Sequence, residues 1–430
     1  MSERPLRVAL LGCGTVGAAV LRLLDEHRED VARRAGGPIE VTRVAVRDTA
    51  RDRGLRLPVG AVSDDPMAVA TADDVDLVCE LMGGIEPARG IVLAALGAGR
   101  PVVTANKELV ASHGEELFHA ADAAGRDLLF EAAVGGGIPL IRPLKESLSG
   151  ERVTRILGIV NGTTNFILTR MTEDGTDFAD ALAQAQRLGY TEADPTADVG
   201  GHDAAAKCAI LASIAFNARV VASDVHREGI ADLTADDIAM ARRLGYVVKL
   251  LAIAEVGADG RISVRVHPAL VPAGHPLASV RDALNAVYVE GPNIGELMFS
   301  GRGAGGAATA TAVVGDLVAA ARNLRAGTHG VGCTCFHETR LRPMGETEGQ
   351  YAVALLVRDR PGALAEIARV FGDHDVSIRS VWQEGADEDA RLELVTHRAR
   401  EADFQAAAAD LRGLPAVREV RSVLRVEAEE

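Results

Sequence analysis

The run Gly12-Cys-Gly-Thr-Val-Gly17 constrains its surroundings more than any other stretch of the chain. Arg7 to Leu11 before it is a short apolar run of strand character. Val16, Val20, Leu23 and Leu24 after it recur at helical spacing. A strand that turns straight into a helix through three spaced glycines is the pattern of a dinucleotide-binding unit. Gly12 permits the tight turn, Gly14 lets the backbone approach a pyrophosphate, and Gly17 allows helix and strand to pack closely. The helix N-terminus, with Thr15 and Val16 in its opening turn, then faces the phosphates.

Further strand-like runs follow at Val41 to Val46, Asp76 to Leu81, Pro101 to Thr104 and Asp127 to Phe130, with helical segments between most of them. This alternation predicts a Rossmann-type, doubly wound parallel sheet, an α/β fold. The end of the second strand reads Arg47-Asp48. Arg47 suits a 2′-phosphate and favours NADP, whereas Asp48, as a ribose ligand, keeps NAD open. Two later turns fall at carboxyl ends of strands, where such sheets bind ligands. Gly83-Gly84 is placed to approach the nicotinamide half, and Thr104-Ala-Asn-Lys107 sets a lysine beside the same crevice. The plainer alternative for Lys107 is a solvated lysine at a helix start.

At 430 residues the chain calls for about three domains. Its formal net charge of −15 argues against nucleic acid or an anionic membrane surface as a partner. The N-terminus is charged and has no apolar h-region, and no apolar run reaches membrane-spanning length. Five cysteines make no disulfide framework, and Cys333 and Cys335 lack partners at zinc-like spacing. A cytoplasmic location is the reading these features favour. Of the 46 basic residues, 42 are arginine, leaving only Lys107, Lys145, Lys207 and Lys249. Lysine can give up its proton in a protein and arginine cannot, so each remaining lysine is a candidate for proton chemistry. Chance persistence suffices for Lys145 and Lys249.

The densest cluster of informative residues runs from Gly189 to Lys207. Glu192, Asp194, Asp198 and Asp203 precede a rare lysine within sixteen residues. Pro195 and Gly200-Gly201 predict an irregular loop up to Gly201, and His202 to Asn217 reads as a helix. Asp203 and Lys207 would share one face of it. On an exposed helix the pair would be a routine ion pair. This helix continues Cys-Ala-Ile-Leu-Ala-Ser-Ile-Ala-Phe216, which is too apolar for a solvated element, and a charged pair at its start is costly to bury without a purpose. Oxidation of an alcohol needs a group to manage the hydroxyl proton. A partly desolvated lysine oriented by a carboxylate can do this, and the other acids suit a substrate bearing an ammonium group.

The segment from Ala185 to Lys207, with its Ala-x3-Gly opening, Asp-Pro, Asp-x2-Gly-x-Asp and closing x3-Lys, resembles the homoserine dehydrogenase signature. Ile159-Val-Asn-Gly-Thr-Thr-Asn-Phe-Ile167 and Thr104-Ala-Asn-Lys107 resemble other segments of that family. The resemblance runs from the first strand to about Arg325. It implies interconversion of L-homoserine and L-aspartate 4-semialdehyde in threonine, methionine and isoleucine biosynthesis. It further implies Lys207 as the proton donor and acceptor, Glu192 as a ligand of the substrate amino group, and Asp198 and Asp203 as further substrate-site acids. Lys107 is implied as a cofactor-site lysine that also reaches substrate. Glu131-Ala-Ala-Val-Gly-Gly-Gly-Ile138 matches a loop that binds sodium or potassium through Glu131 and the carbonyls of Val134, Gly136 and Ile138. The family fold implies an open mixed sheet in an α+β middle domain that makes a dimer interface. The domains expected are 1–130 for the dinucleotide, 131–303 for catalysis and dimerisation, a helix near 304–324 returning to the first, and a linker at 325–350.

From 351 to 430 the order is strand (Tyr351 to Val357), helix (Pro361 to Phe371), strands (Ser377 to Trp382, Arg391 to Thr396), helix (Phe404 to Leu411) and strand (Val417 to Leu424). A short strand at Cys333 to Phe336 is also expected. This βαββαβ order, with Asp359-Arg-Pro-Gly-Ala-Leu364 at the first strand–helix turn, resembles a ferredoxin-like ACT domain. Such domains bind an amino acid at that turn, which implies Asp359, Gly362, Ala363 and Leu364 as effector contacts and L-threonine as the effector. A structural or oligomerising module is the alternative, and a paired module leaves homodimer and homotetramer both open. Two other functions compete: a dehydrogenase of another small amino-acid semialdehyde, and a non-catalytic metabolite sensor. The spacing from Glu192 to Lys207 speaks against the first, and an intact lysine with an intact glycine loop against the second.

Overall fold

The apolar hexapeptide Leu6–Leu11 forms strand β1, whose last four residues are buried, as befits a strand covered on both faces. A computed structural model describes residues 4–54, 57, 60–191, 193–332, 340–386 and 388–427. After β1 come α1 (Thr15–Glu26), α2 (Arg28–Ala35), β2 (Ile39–Ala45), β3 (Val62–Ser63), α3 (Pro66–Ala70) and β4 (Leu77–Glu80). Next are α4 (Ala88–Gly97), β5 (Val102–Thr104), α5 (Lys107–Ala124) and β6 (Leu128–Leu129). The six strands pair in parallel in the order β3-β2-β1-β4-β5-β6. This is the doubly wound order, and its switch point lies between β1 and β4, so the turns after those strands flank a crevice.

The chain continues through β7 (Arg155–Ile159), α6 (Gly162–Asp174), α7 (Phe178–Arg187), α8 (Thr196–Val199), α9 (His202–Ala215) and β8 (His226–Arg227). It then forms α10 (Ala235–Arg243), β9 (Tyr246–Val256), β10 (Ile262–Pro272), β11 (Leu284–Gly291), β12 (Gly295–Arg302) and α11 (Gly306–Ala326). The C-terminal elements are β13 (Glu348–Arg358), α12 (Ala363–Asp373), β14 (Ile378–Ala386), β15 (Asp389–Thr396), β16 (Ala399–Arg400), α13 (Glu401–Gly413) and β17 (Val417–Val426).

Two compact units result. The first comprises Met1–Val160, Ala206–Val225 and Asn285–Thr339, and the second Asn161–Ala205, His226–Leu284 and Arg340–Glu430. Within the first, β11 runs antiparallel to β7 with β12 beyond it. Helix α11 places Val313, Val314, Leu317 and Ala320 in one apolar core with Val8, Leu10, Val20 and Cys79. A β-carbon on Gly306 would lie 2.9 Å from the Thr15 side chain, so α11 starts hard against α1.

Within the second unit, β9 and β10 form a long antiparallel pair. The last strand, β17, joins β10 in parallel at Ala269 and Leu270 and continues antiparallel to β13, beyond which lie β15 and β14. The sheet is therefore mixed. Its C-terminal part has the order β17-β13-β15-β14 of a ferredoxin-like βαββαβ module. The module has its own core, with Tyr351, Leu355, Ile367, Phe371, Leu392 and Phe404. The segment expected as a linker is shorter at both ends, because α11 runs to Ala326 and β13 begins at Glu348. Glu348 and Gly349 carry no apolar pattern, yet they pair with β16. The strand expected at Cys333 to Phe336 lies outside the described residues.

Candidate functional site

The glycine loop between β1 and α1 divides its work. Gly12 has φ +96°, and a β-carbon there would lie 2.6 Å from the Leu81 carbonyl oxygen. A β-carbon on Gly17 would lie 2.3 Å from the Gly12 carbonyl oxygen. Both glycines are thus demanded by packing of the chain on itself. At Gly14 nothing lies within 4 Å, so its freedom serves whatever enters the cleft. No side chain caps α1, which leaves its first N–H groups to a ligand. The cleft beside the loop has a volume of about 610 Å³ and is lined by Gly12, Gly14, Arg47, Arg51, Arg53 and Gly83 among others. The residues present fit a dinucleotide.

Arg47 and Asp48 follow β2 and both line this cleft. Asp48 turns its Oδ1 onto its own loop, accepting from the Ala50 and Arg51 N–H groups at 3.0 and 3.1 Å. Arg53 braces the same loop by donating to the Asp48 and Arg51 carbonyls, both at 2.7 Å. Arg51 and Arg53 were not singled out from sequence, although three arginines within seven residues after a second strand is a readable signal.

At the carboxyl ends of β4 and β5, Glu80 is completely buried. Its Oε1 accepts from the Met82 and Gly83 N–H groups at 2.8 and 3.2 Å, and its Oε2 from the Thr104 hydroxyl at 2.6 Å. Thr104 Oγ1 in turn accepts from the Asn106 N–H, and the Asn106 amide donates to the Gly84 carbonyl at 2.6 Å. One buried carboxylate therefore ties together the two turns that sequence placed at the crevice. Asn106 also caps α5 through the Leu109 N–H at 3.1 Å, and this sets Lys107 at the first helical position. Lys107 and Lys207 line one cavity of about 240 Å³ with Gly83, Gly84, Gly136 and Gly303. Lys207 is 9% exposed, and its Nζ donates to the Val160 carbonyl at 2.7 Å.

The acid cluster is sorted just as clearly. The Asn161 amide nitrogen donates to Asp198 at 2.7 Å and to Asp203 at 2.9 Å, and Thr191 donates to the other oxygen of Asp198 at 2.7 Å. Asp194 is exposed and uses Oδ1 on the Thr196 N–H and hydroxyl, which hold its carboxyl below the usual range. It shapes a turn. Glu192 lies outside the described residues. The loop expected to be irregular contains a helical turn, α8, which carries Asp198. The Ile230 N–H donates to the Val199 carbonyl at 2.8 Å, pinning that turn to the segment after β8.

Glu131 is buried, but its carboxylate is engaged. It accepts from the N–H groups of Leu140, Ile141 and Arg142 at 2.5, 2.9 and 2.9 Å. Asp316 on α11 fixes the same loop, accepting from the Glu131 N–H at 2.8 Å and from Arg142 at 2.6 Å. Burial pushes the Asp316 carboxyl up to about 7. Gly135 and Gly136 both have positive φ, and a β-carbon on Gly136 would lie 2.4 Å from the Gly303 carbonyl oxygen. Among the described residues no cluster of three or more His, Cys, Asp or Glu side chains could hold a metal. Main-chain oxygens of this loop are what remain, a donor set for a hard cation of low charge.

In the C-terminal module Gly362 caps α12 with φ +89° and no side-chain cap, and Leu364 beside it is exposed. The Asp359 N–H donates to the Glu388 carbonyl at 2.9 Å. A β-carbon on Gly385 of β14 would lie 2.3 Å from the Asp359 carboxylate, so a larger residue there would turn that side chain aside.

Family models agree with this layout. The homoserine dehydrogenase NAD-binding domain matches residues 12–131, the homoserine dehydrogenase domain 139–318, and the ACT domain 351–416. A homoserine dehydrogenase of Corynebacterium glutamicum is 51% identical over 98% of this chain and 95% of its own length. The crystal structure of a homoserine dehydrogenase from Thiobacillus denitrificans superposes with a TM-score of 0.93 at 42% identity, covering 99% of this chain and 98% of that one. A hyperthermophilic archaeal homoserine dehydrogenase in complex with NADPH gives 0.63 at 27% identity, covering 74% of this chain and 98% of its own. The class is thus an NAD(P)-binding oxidoreductase of amino-acid biosynthesis with an appended ACT module. The chain belongs to the homoserine dehydrogenase family.

Proposed function

We propose that the chain interconverts L-homoserine and L-aspartate 4-semialdehyde with NADP, Lys207 managing the proton of the reacting oxygen. The observation that carries this reading is the meeting of Lys107 and Lys207, two of only four lysines, in one cavity beside the glycine turn after β4. A nicotinamide, when bound, would supply the hydride acceptor. Gly14 and the start of α1, with Thr15 and Val16, would hold its pyrophosphate, with Gly12 and Gly17 shaping the turn. Arg47, joined by Arg51, supports the choice of NADP, because Asp48 Oδ1 is already bonded to its own loop. The Val160 carbonyl orients Lys207 Nζ, which takes the hydroxyl proton as the carbonyl forms and returns it on reduction. Asp203, one helical turn before it, and Asp198 and Glu192 attract the substrate ammonium group. Lys107 steadies cofactor and substrate.

Sodium or potassium would sit on the carbonyls of Val134, Gly136 and Ile138. Glu131 would add its main chain, since its carboxylate is taken up by three N–H groups. The ACT module would answer to L-threonine through Asp359, Gly362, Ala363 and Leu364. A homodimer or homotetramer, to be resolved by light scattering, is the assembly in keeping with the family.

The Lys207→Ala variant tests the chemistry. Its kcat with L-homoserine should fall at least about a hundredfold, while its NADP affinity, followed by fluorescence, stays within about threefold of wild type. A kcat within tenfold of wild type would assign the proton to another group.

A further inference from the structure

Asp198 and Asp203 are two acids held close by a single nitrogen, the Asn161 amide, which stands 2.7 Å from one and 2.9 Å from the other. Carboxylates sharing a site repel, and such a pair ordinarily takes up a proton. Asn161 is 5% exposed and Asp203 7%, while Asp198 is half-buried, so bulk water screens the pair only in part. The orientation of the amide is not in question. Its oxygen accepts from the Thr164 N–H at 2.8 Å as the cap of α6, which turns both amide hydrogens toward the acids.

We infer that Asn161 is a positioning residue for the reaction, keeping Asp198 and Asp203 adjacent, hydrogen-bonded and aimed for the substrate ammonium group. This rests on the reading of those two acids given above. A neutral group with two donor hydrogens on one nitrogen and an acceptor on the opposite side meets all three demands. Asn161 follows Val160, whose carbonyl accepts from Lys207. Thr191 completes the arrangement by holding the second oxygen of Asp198.

Asn161→Asp is the sharp test, because aspartate caps a helix as well as asparagine does but replaces two donor hydrogens with a third negative charge. At pH 8 its kcat/KM for L-homoserine should fall at least about a hundredfold, with KM for NADP unchanged. The deficit relative to wild type should shrink as pH falls through about 6, since a proton shared among three carboxylates restores a donor. A residue acting only as a helix cap would show no such recovery. Should Asn161→Asp fail to fold, Asn161→Ser keeps a cap acceptor with one donor hydrogen, and should lose activity with KM for L-homoserine raised. Activity within threefold of wild type at every pH in Asn161→Asp, or in Asn161→Ser if that variant must serve, would overturn the inference, provided Asp198→Asn and Asp203→Asn each lose a hundredfold. If those two variants keep wild-type activity, the reading of the acids falls and this inference with it.

Discussion

Gly14 and Gly17 stand three residues apart in one motif, and the structure gives them opposite reasons for being glycine. A β-carbon on Gly17 meets the Gly12 carbonyl oxygen at 2.3 Å, a main-chain atom that cannot step aside. Gly17→Ala should destabilise the fold by about 3 kcal/mol, at the upper end for overpacking. A β-carbon on Gly14 meets nothing. Gly14→Ala should therefore melt within about 2 °C of wild type yet raise KM for NADP at least tenfold, because the methyl would occupy the approach proposed for the pyrophosphate. A thermal melt and a cofactor titration of both variants check this, and equal behaviour would contradict it. The turn and packing roles of Gly12 and Gly17 were legible in the sequence, since the motif stood between a strand pattern and a helix pattern. The roles of two lysines were not. Lys145 donates to the Val331 carbonyl at 3.1 Å. Lys249 is buried, donates to Asn165 Oδ1 at 3.0 Å and to the Val280 carbonyl, and is pushed down to about 8 by burial. Nothing in their neighbourhoods along the chain announces partners so distant.

At the scale of elements, the pairing of β10 with β17 joins the ACT module to the segment that carries Asp198. Arg425 on β17 grips Glu228 with two hydrogen bonds, at 2.7 and 2.8 Å, and reaches Glu401 at 2.6 and 2.9 Å. Burial opposes ionisation of Glu228, but His226 and Arg425 outweigh it and hold the carboxyl well below its usual range. Two residues on, Ile230 bonds to Val199 on the turn that carries Asp198. An effector that shifts β17 would be felt at that acid. If threonine regulates the chain as proposed, Glu228→Gln should raise the apparent inhibition constant for threonine at least about threefold, with basal kcat within threefold of wild type. An inhibition curve identical to wild type would contradict the route. The sequence predicted every long element of the module, because buried apolar residues recur at strand and helix periods. It missed β3 and β16, two residues each, where no period can be read. It also missed α8, whose four residues lie between Pro195 and Gly200.

At the scale of the whole molecule, the elements of the reading were local, while the interleaving of the units was not. Ala206–Val225 and Asn285–Thr339 return to the unit that holds the glycine loop; the return of a helix near 304–324 was expected from the family resemblance, whereas linear periodicity carries no mark of the return of Ala206–Val225. The buried carboxylates Glu80 and Asp316 escaped the sequence reading for the same reason. Their partners, Thr104, Glu131 and Arg142, are assembled only by the fold. Among the described residues no helix is long and apolar enough to cross a membrane. The central claim is chemical, and nicotinamide absorbance tests it most directly. Purified full-length chain would be given L-homoserine with NADP, and separately with NAD, in sodium or potassium salts and again in a tetramethylammonium salt. Reduced cofactor should accumulate fastest with NADP and in the alkali-metal salts. No reduction of either cofactor by folded protein would contradict the claim.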